Sequence, residues 1–244
     1  NARYTMRLDY LENIDHEGNG QAWRFDNPGY RSIGTPTAFN GFAILDSDNY
    51  GGGNTQNADL VTPPLDLSQA TAVEISYQHH YQHYDGSSAT FSCSADGGVT
   101  WTDLESWSSS TNNPALASFD VTLLAAGQPD VRFKWNYYGT YGWWWAVDDV
   151  SIDAVIPGLW IGEASGDWSN PVNWSGGILP AGTTAITVSP SASHWPVYTG
   201  TLTLGLSCGS ISLEHGTEMT ITGNLVIPAG KALDVHPTAE LKVE

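Results

Sequence analysis

An all-β fold is the class this sequence predicts, and three observations predict it. Apolar residues alternate at period two in many places. No window of 3.6-residue periodicity extends beyond about two turns. Charged residues make up only 14% of the chain while Gly, Ser, Thr, Asn, Trp and Tyr are plentiful, a balance that suits short strands joined by polar turns. At 244 residues the chain can form one large or two modest domains with a buried core.

The elements follow in order along the chain. Val73, Ile75, Tyr77, His79, Tyr81 and His83 share one parity and Glu74, Ser76, Gln78, His80 and Gln82 the other, so the odd set is the core face of a strand. Phe91 and Cys93 alternate with Ser92 and Ser94 and run into Asp96-Gly97-Gly98, which supplies the positive φ of a tight hairpin before a strand beginning near Trp101. Val131, Phe133 and Trp135 oppose Arg132, Lys134 and Asn136, the pattern of a half-buried strand. The run NYYGTYGWWW (136–145) reads as a hairpin with its tip between Gly139 and Gly142. In WAVDDVSI the parity set by Trp145 and Val147 switches to Val150 and Ile152, which calls for a bulge at the two aspartates.

Pro157-Gly158 then interrupts the strand pattern, placing a boundary between residues 1–156 and a smaller all-β region, 157–244. In that region Met219/Ile221, Leu225/Ile227, Leu233/Val235 and Leu241/Val243 are apolar pairs separated by turns, the last three recurring every eight residues. Such spacing fits a β-meander, a small sandwich, or the first coils of a β-solenoid. The pattern is still running at Glu244, and NARYTMRLDY at the start lacks a signal-peptide pattern; both lead us to expect a segment of a longer polypeptide. Trp160, Trp168 and Trp174 are expected to pin strand ends.

The formal charge is −18, from 8 Lys plus Arg against 26 Asp plus Glu. This argues against nucleic acid as a partner and against binding to anionic lipid. No stretch approaches the roughly 20 apolar residues of a membrane span. Cys93 and Cys208 match no metal-binding spacing, and their apolar flanks favour buried free thiols.

Three clusters invite a functional reading. The first, SYQHHYQHYDGSS (76–88), draws attention to zinc. On a strand, however, His79 and His83 stand about 13 Å apart and His79 and His80 face opposite ways, which favours a buried, hydrogen-bonded His79. The second cluster is acidic. Asp46 and Asp48 in DSDNYGGGN partly match a calcium loop, against the plainer reading of a solvated acidic turn. Asp148 and Asp149 interrupt an apolar strand in a chain short of basic residues, where a cation would relieve their burial. The third is aromatic: Tyr138, Tyr141, Trp143 and Trp144 suit either a sandwich core or a sugar- or protein-binding surface. No GxSxG, HExxH, P-loop or GxGxxG motif is present, and nothing selects a pair of carboxylates for glycoside hydrolysis, so a non-enzyme is expected.

ADLVTPPLDLS (58–68), AVEISYQHHYQ (72–82), SADGGVTW (94–101) and VRFKWNYYGTYGWWWAVDDVSI (131–152), with LEN (11–13) and AWRF (22–25) upstream, resemble in order and spacing the MAM-like and cleaved-adhesin jelly-roll domains of secreted bacterial proteases and surface adhesins. The segment GLWIGEASGDWSNPVNWSGGILP (158–180) is similar to Trp-rich repeats of bacterial surface proteins. The first resemblance implies a two-sheet jelly-roll sandwich. It also implies an extracellular or cell-surface location and adhesion or accessory binding, to a glycan or a host or matrix protein, by a monomer within a longer chain. It further implies a structural calcium between an acidic residue of the first strand and the aspartate of the last, matching Glu12 and Asp148. The rival expectations are a structural spacer and an accessory region of a secreted hydrolase.

Overall fold

The computed structural model describes residues 10–244 and, as backbone, residues 2–5. The chain divides into two compact units, Arg3–Asp153 and Ala154–Glu244, with Ala2 counted in the second.

The first unit is a two-sheet β-sandwich. Its strands are β1 (Ala2–Thr5), β2 (Glu12–Asp15), β3 (Ala43–Asp46), β4 (Gln56–Val61), β5 (Ala72–Gln82), β6 (Ser88–Ser94), β7 (Thr102–Trp107), β8 (Ala115–Asp120), β9 (Arg132–Gly139) and β10 (Trp144–Val155). One sheet runs β1-β10-β5-β8 with β3 paired to β10; the other runs β2-β4-β9-β6-β7. Among the described residues the only α-helices are the four-residue turns α1 (Ser47–Tyr50) and α2 (Thr122–Ala125), and no helix is long and apolar enough to cross a membrane.

The odd face of β5 is the core face, as its alternation requires. Tyr77 meets Phe91 and Trp135 at ring-centroid distances of 4.9 and 5.3 Å, while Trp145 meets Trp23 and Trp107 at 5.5 and 5.7 Å. Such tilted and edge-to-face pairs add about 0.5–1.5 kcal/mol each beyond area burial. The β6–β7 hairpin forms where DGG predicts it, with Gly97 and Gly98 at φ 74° and 92°. Asp149, at φ 52°, is exposed at the point where the buried parity of β10 switches.

The reading of residues 136–145 as a hairpin is corrected. β9 has β4 on one side and β6 on the other, so no edge is left for β10, and the Gly139–Trp143 connection crosses from one sheet to the other. β10 instead takes β3 as a partner, Trp144 opposite Asp46 and Val147 opposite Ala43. All four residues of β3 are buried, because a strap formed by residues 24–42 covers its outer face. Ile33, Phe42, Ile44 and Ala146 make a small second core under that strap, and Arg24 and Ile44 exchange backbone hydrogen bonds of 2.7 and 2.8 Å.

The second unit is built from parallel strands. β11 (Leu159–Trp160), β12 (Ile186–Val188), β13 (Val197–Thr203), β14 (Ile211–Leu213), β15 (Glu218–Val226), β16 (Leu233–Val235) and β17 (Glu240–Val243) form two sheets, β11-β12-β14-β16 and β13-β15-β17. Parallel pairing excludes a meander and identifies solenoid coils. Register leads from Ile186 to Ile211 to Leu233, an advance of 25 and then 22 residues per coil. The eight-residue recurrence runs from Leu225 in β15 to Leu233 in β16 and on to Leu241 in β17, alternating between the two sheets. Gly200 stacks on Gly223, where a Cβ would lie 2.3 Å from the Gly200 carbonyl oxygen. Trp160, Trp168 and Trp174 pack together near the first coil, with Trp174 4.6 Å from Trp168 and 5.0 Å from Trp160. Cys93 and Cys208 are free, buried thiols, each pushed up to about 11 by burial.

His79 is the buried, hydrogen-bonded histidine expected on the core face. Trp145 Nε1 donates to its Nδ1 at 3.2 Å, and burial, helped by the neighbouring His80, lowers its pKa to about 4. A histidine depressed in the fold binds its proton first in the unfolded chain, so its contribution is fully present above the unfolded value of about 6.5 and is lost as pH falls toward 4. We predict that acidification across this window costs roughly 3 kcal/mol of stability. In urea titrations this part of the pH slope should vanish in His79→Gln; an unchanged slope would refute the assignment.

Candidate functional site: an aromatic end and an acidic strap

The strap is fastened by one guanidinium. Asn27 folds the strap on itself, donating to the Arg31 carbonyl at 2.8 Å and accepting from Arg31 N at 2.9 Å. This turn delivers Arg31 to the end of β3, where Nε and Nη2 donate to the two Asp46 carboxylate oxygens at 2.8 and 3.2 Å, and Nη2 also reaches Asp48. The guanidinium carbon lies 4.4 Å from the centroid of Trp144, and hydrogen bonding to Asp46 is the first cause raising the Arg31 pKa. Asp46 also caps α1 by accepting from Asn49 N at 3.0 Å. Gly29 is obligatory here, because a Cβ would sit 1.9 Å from an Asp46 oxygen.

Asp46 and Asp48 thus receive their countercharge from Arg31. The second acidic pair is held differently. Thr35 donates to the buried Asp148 at 2.6 Å, Thr37 donates to Asp149 at 2.6 Å and lies 3.3 Å from Asp148, and Asp149 N donates to Asp148 Oδ1 at 2.9 Å. Two carboxylates and two hydroxyls form an all-oxygen set that fits a hard cation such as calcium. The Arg31-bound pair, already compensated, does not fit one. Glu12 lies on β2 of the other sheet, opposite Val61. Nor do those residues contain a group of three or more His, Cys, Asp or Glu side chains able to hold a metal ion.

The aromatic candidates separate into two places. Trp143 and Trp144 are half-buried and edge-to-face at 5.5 Å, and Trp143 O accepts from Asp48 N at 3.2 Å. Trp144 turns its other side to Arg31 and His80, and the Trp144 Nε1 and His80 Nδ1 atoms are buried without partners among the described residues. Tyr141 is 53% exposed at φ 51° beside Gly52, and Tyr30, next to Arg31, is 94% exposed at φ 54°. Left-handed backbone at a bulky residue is costly, and here it holds two phenol rings out toward solvent. Tyr141, Trp143 and Trp144, with Tyr30, Arg31 and Asp48, make up an aromatic end. Tyr138 stands apart, on the outward face of β9 opposite Asn57 and Ser88.

Arg31, Tyr30, Thr35 and Thr37 are not singled out by sequence patterning, since a strap has no period. The available signal is an arginine, one of 8 basic residues, set in a loop rich in Gly, Thr and Pro.

No protein-family model and no curated protein matches the chain. Among solved structures it is similar to the K1 cleaved adhesin domain of Lys-gingipain from Porphyromonas gingivalis, with 18% identity and TM-score 0.48 over 63% of this chain and 99% of that one. The K3 domain of the same protein gives 21% identity and TM-score 0.44 over 59% and 91%. A family 11 carbohydrate-binding module from Clostridium thermocellum gives 9% and 0.40 over 62% and 94%. These are likenesses of β-sandwich fold, and the reading of the site rests on its own side chains.

Arg31→Met should destabilise the sandwich by about 3–5 kcal/mol, because it strands the buried Asp46 charge. Arg31→Lys should recover only part of this, having no bidentate fork, and Arg31→Met with Asp46→Asn should recover more than Arg31→Met alone. Denaturant midpoints decide the matter: a single-variant loss below about 1 kcal/mol would show that the strap has another fastening.

Proposed function

We propose that this chain is a non-catalytic binding module of an extracellular or cell-surface protein, engaging a glycan or protein surface through its aromatic end. The observation that carries the reading is the display of Tyr30 and Tyr141 on left-handed backbone beside half-exposed Trp143 and the Arg31–Asp48 pair. Aromatic rings with few torsions to freeze, next to fixed charged hydrogen-bonding groups, bury large area at small entropic cost. Strain retained at exposed residues is a mark of a functional segment. The sequence resemblance to adhesin-type jelly rolls supports the same reading and the location. Calcium belongs to the proposal as a structural ion held by Asp148 and Asp149 with Thr35 and Thr37, tying the strap to β10.

Tyr141→Ala and Trp143→Ala should each weaken binding to whatever an array of glycans and matrix proteins reveals by about tenfold or more, with melting temperature nearly unchanged; wild-type affinity in both variants would remove the aromatic end from the reading. For the ion, calcium at about 100 times its Kd stabilises by about 2.7 kcal/mol, equivalent to a melting-temperature rise of several degrees over the chelated protein. Asp148→Asn should abolish that rise, and an EDTA-treated protein that melts at the same temperature with and without calcium would eliminate the ion.

A further inference from the structure

A second surface offers finer chemistry than the aromatic end. The strand pairings of the β2-β4-β9-β6-β7 sheet align its outward side chains in rows. Asn57, Tyr138 and Ser88 form one row; Ile14, Asp59, Asn136, Thr90 and Ser106 form the next; Glu12, Val61, Lys134, Ser92 and Asp103 form a third. The middle row is organised by Asp59, whose side chain is only 7% exposed. Its carboxylate receives His16 Nε2 at 2.8 Å and Asn136 Nδ2 at 2.7 Å, with Lys134 Nζ at 3.8 Å.

An ionised carboxylate only accepts hydrogen bonds, so Asp59 dictates the orientation of its neighbours. Asn136 must turn its NH2 toward Asp59, and the same NH2 donates to Asn57 Oδ1 at 3.1 Å. Asn57 is thereby held with its own NH2 directed away from that bond. The result is one free donor, Asn57 Nδ2, and one free acceptor, Asn136 Oδ1, with no partners among the described residues. They stand on adjacent strands beside Tyr138, which is 48% exposed and directly opposite Asn57. The hydroxyls of Thr90 and Ser106, 3.0 Å apart, continue the polar track toward β7.

We propose that this face is a saccharide-binding subsite for a neutral oligosaccharide, with a sugar ring stacked on Tyr138 and its hydroxyls bonded to Asn57 Nδ2 and Asn136 Oδ1. A sugar hydroxyl both donates and accepts, matching this pair, while the C–H face of the ring suits an exposed phenol. Fixing the amides in advance removes their ordering cost on binding. Charge selects against acidic glycans: Lys134 and His16 are already directed at Asp59, Arg132 is paired with Asp130 at 3.2 Å, and the chain carries −18 overall. The inference rests on the binding-module reading but uses different residues from the aromatic end.

The test is affinity electrophoresis through gels containing galactan, galactomannan or mixed-linkage β-glucan, with polygalacturonate and heparin as acidic controls. Retardation is expected in at least one neutral polysaccharide and in neither acidic one. Tyr138→Ala should weaken it at least tenfold and Asn57→Ala about fivefold, both with unchanged melting temperature, while Tyr84→Ala, at an exposed tyrosine of neither site, should behave as wild type. The proposal is overturned if no neutral polysaccharide retards the chain, if only the acidic ones do, or if Tyr138→Ala and Asn57→Ala migrate as wild type. Retardation lost in Tyr141→Ala yet kept in Tyr138→Ala would also overturn it and leave the aromatic end as the binding site; a protein ligand found on the array would do the same for the broader reading when all neutral polysaccharides fail.

Discussion

The ion pair between Arg31 and the buried Asp46 is the constraint on which the upper half of the sandwich depends. β3 has both faces covered, so a carboxylate at its end is deep enough that an unpaired charge would be intolerable. The guanidinium that neutralises it comes from the strap. Once Arg31 is docked, its neighbours are placed with it: Tyr30 is turned outward, Trp144 gains a cation over its ring, and Thr35 and Thr37 reach Asp148 and Asp149. Aromatic end and acidic pair are therefore two consequences of a single docking event, although Trp143, Trp144, Asp148 and Asp149 lie more than 100 residues along the chain from the strap.

A protein with this excess of acid must dispose of its carboxylates locally, and three ways stand beside the threonine-held pair Asp148 and Asp149. Turn aspartates are solvated by their own loops: Asp96 is pulled down to about 2, first by the hydroxyl of Thr100, and Asp66, Asp120 and Asp167 are lowered first by Ser68, Thr122 and Ser169 respectively. These cost nothing in burial and fix turns. The buried Asp46 takes one of the few arginines. Asp59 takes a histidine, an amide and a distant lysine, and transmits its acceptor-only character outward through two asparagines. The third solution leaves oriented polar atoms at a surface.

Local features were legible in the sequence and non-local ones were not. The core face of β5 and the β6–β7 hairpin depend on alternation and on DGG, within a dozen residues, and both stand as read. The parity switch in WAVDDVSI is likewise local and coincides with left-handed Asp149. The supposed 136–145 hairpin failed because whether two neighbouring strands pair depends on who else occupies their edges, and β4 and β6 arrive from far away in sequence. The coil length of the second unit was masked because each coil contributes two apolar pairs, so the eye catches the step between faces before the longer return. The acidic residues draw attention in the sequence, but that Asp46 meets an arginine is decided by a strap with no periodic signal.

The aromatic residues show how far composition can be pushed. Tyr137 and Tyr138 are adjacent and chemically identical, yet one lies in the core and the other on the outward face, because period two on β9 assigns them opposite sides. Burial of Tyr137 with Trp135 and Phe133 anchors β9 at the centre of its sheet, between β4 and β6. That central position is what gives Tyr138 polar neighbours on both flanks, Asn57 on one and Ser88 on the other. On an edge strand the same ring would be an isolated exposed aromatic; in the middle of a rigid sheet it stands among side chains whose positions are set by backbone pairing on both sides. The core aromatics thus supply the precision of the surface one, and a face built this way holds its hydrogen-bonding groups in place before any ligand arrives.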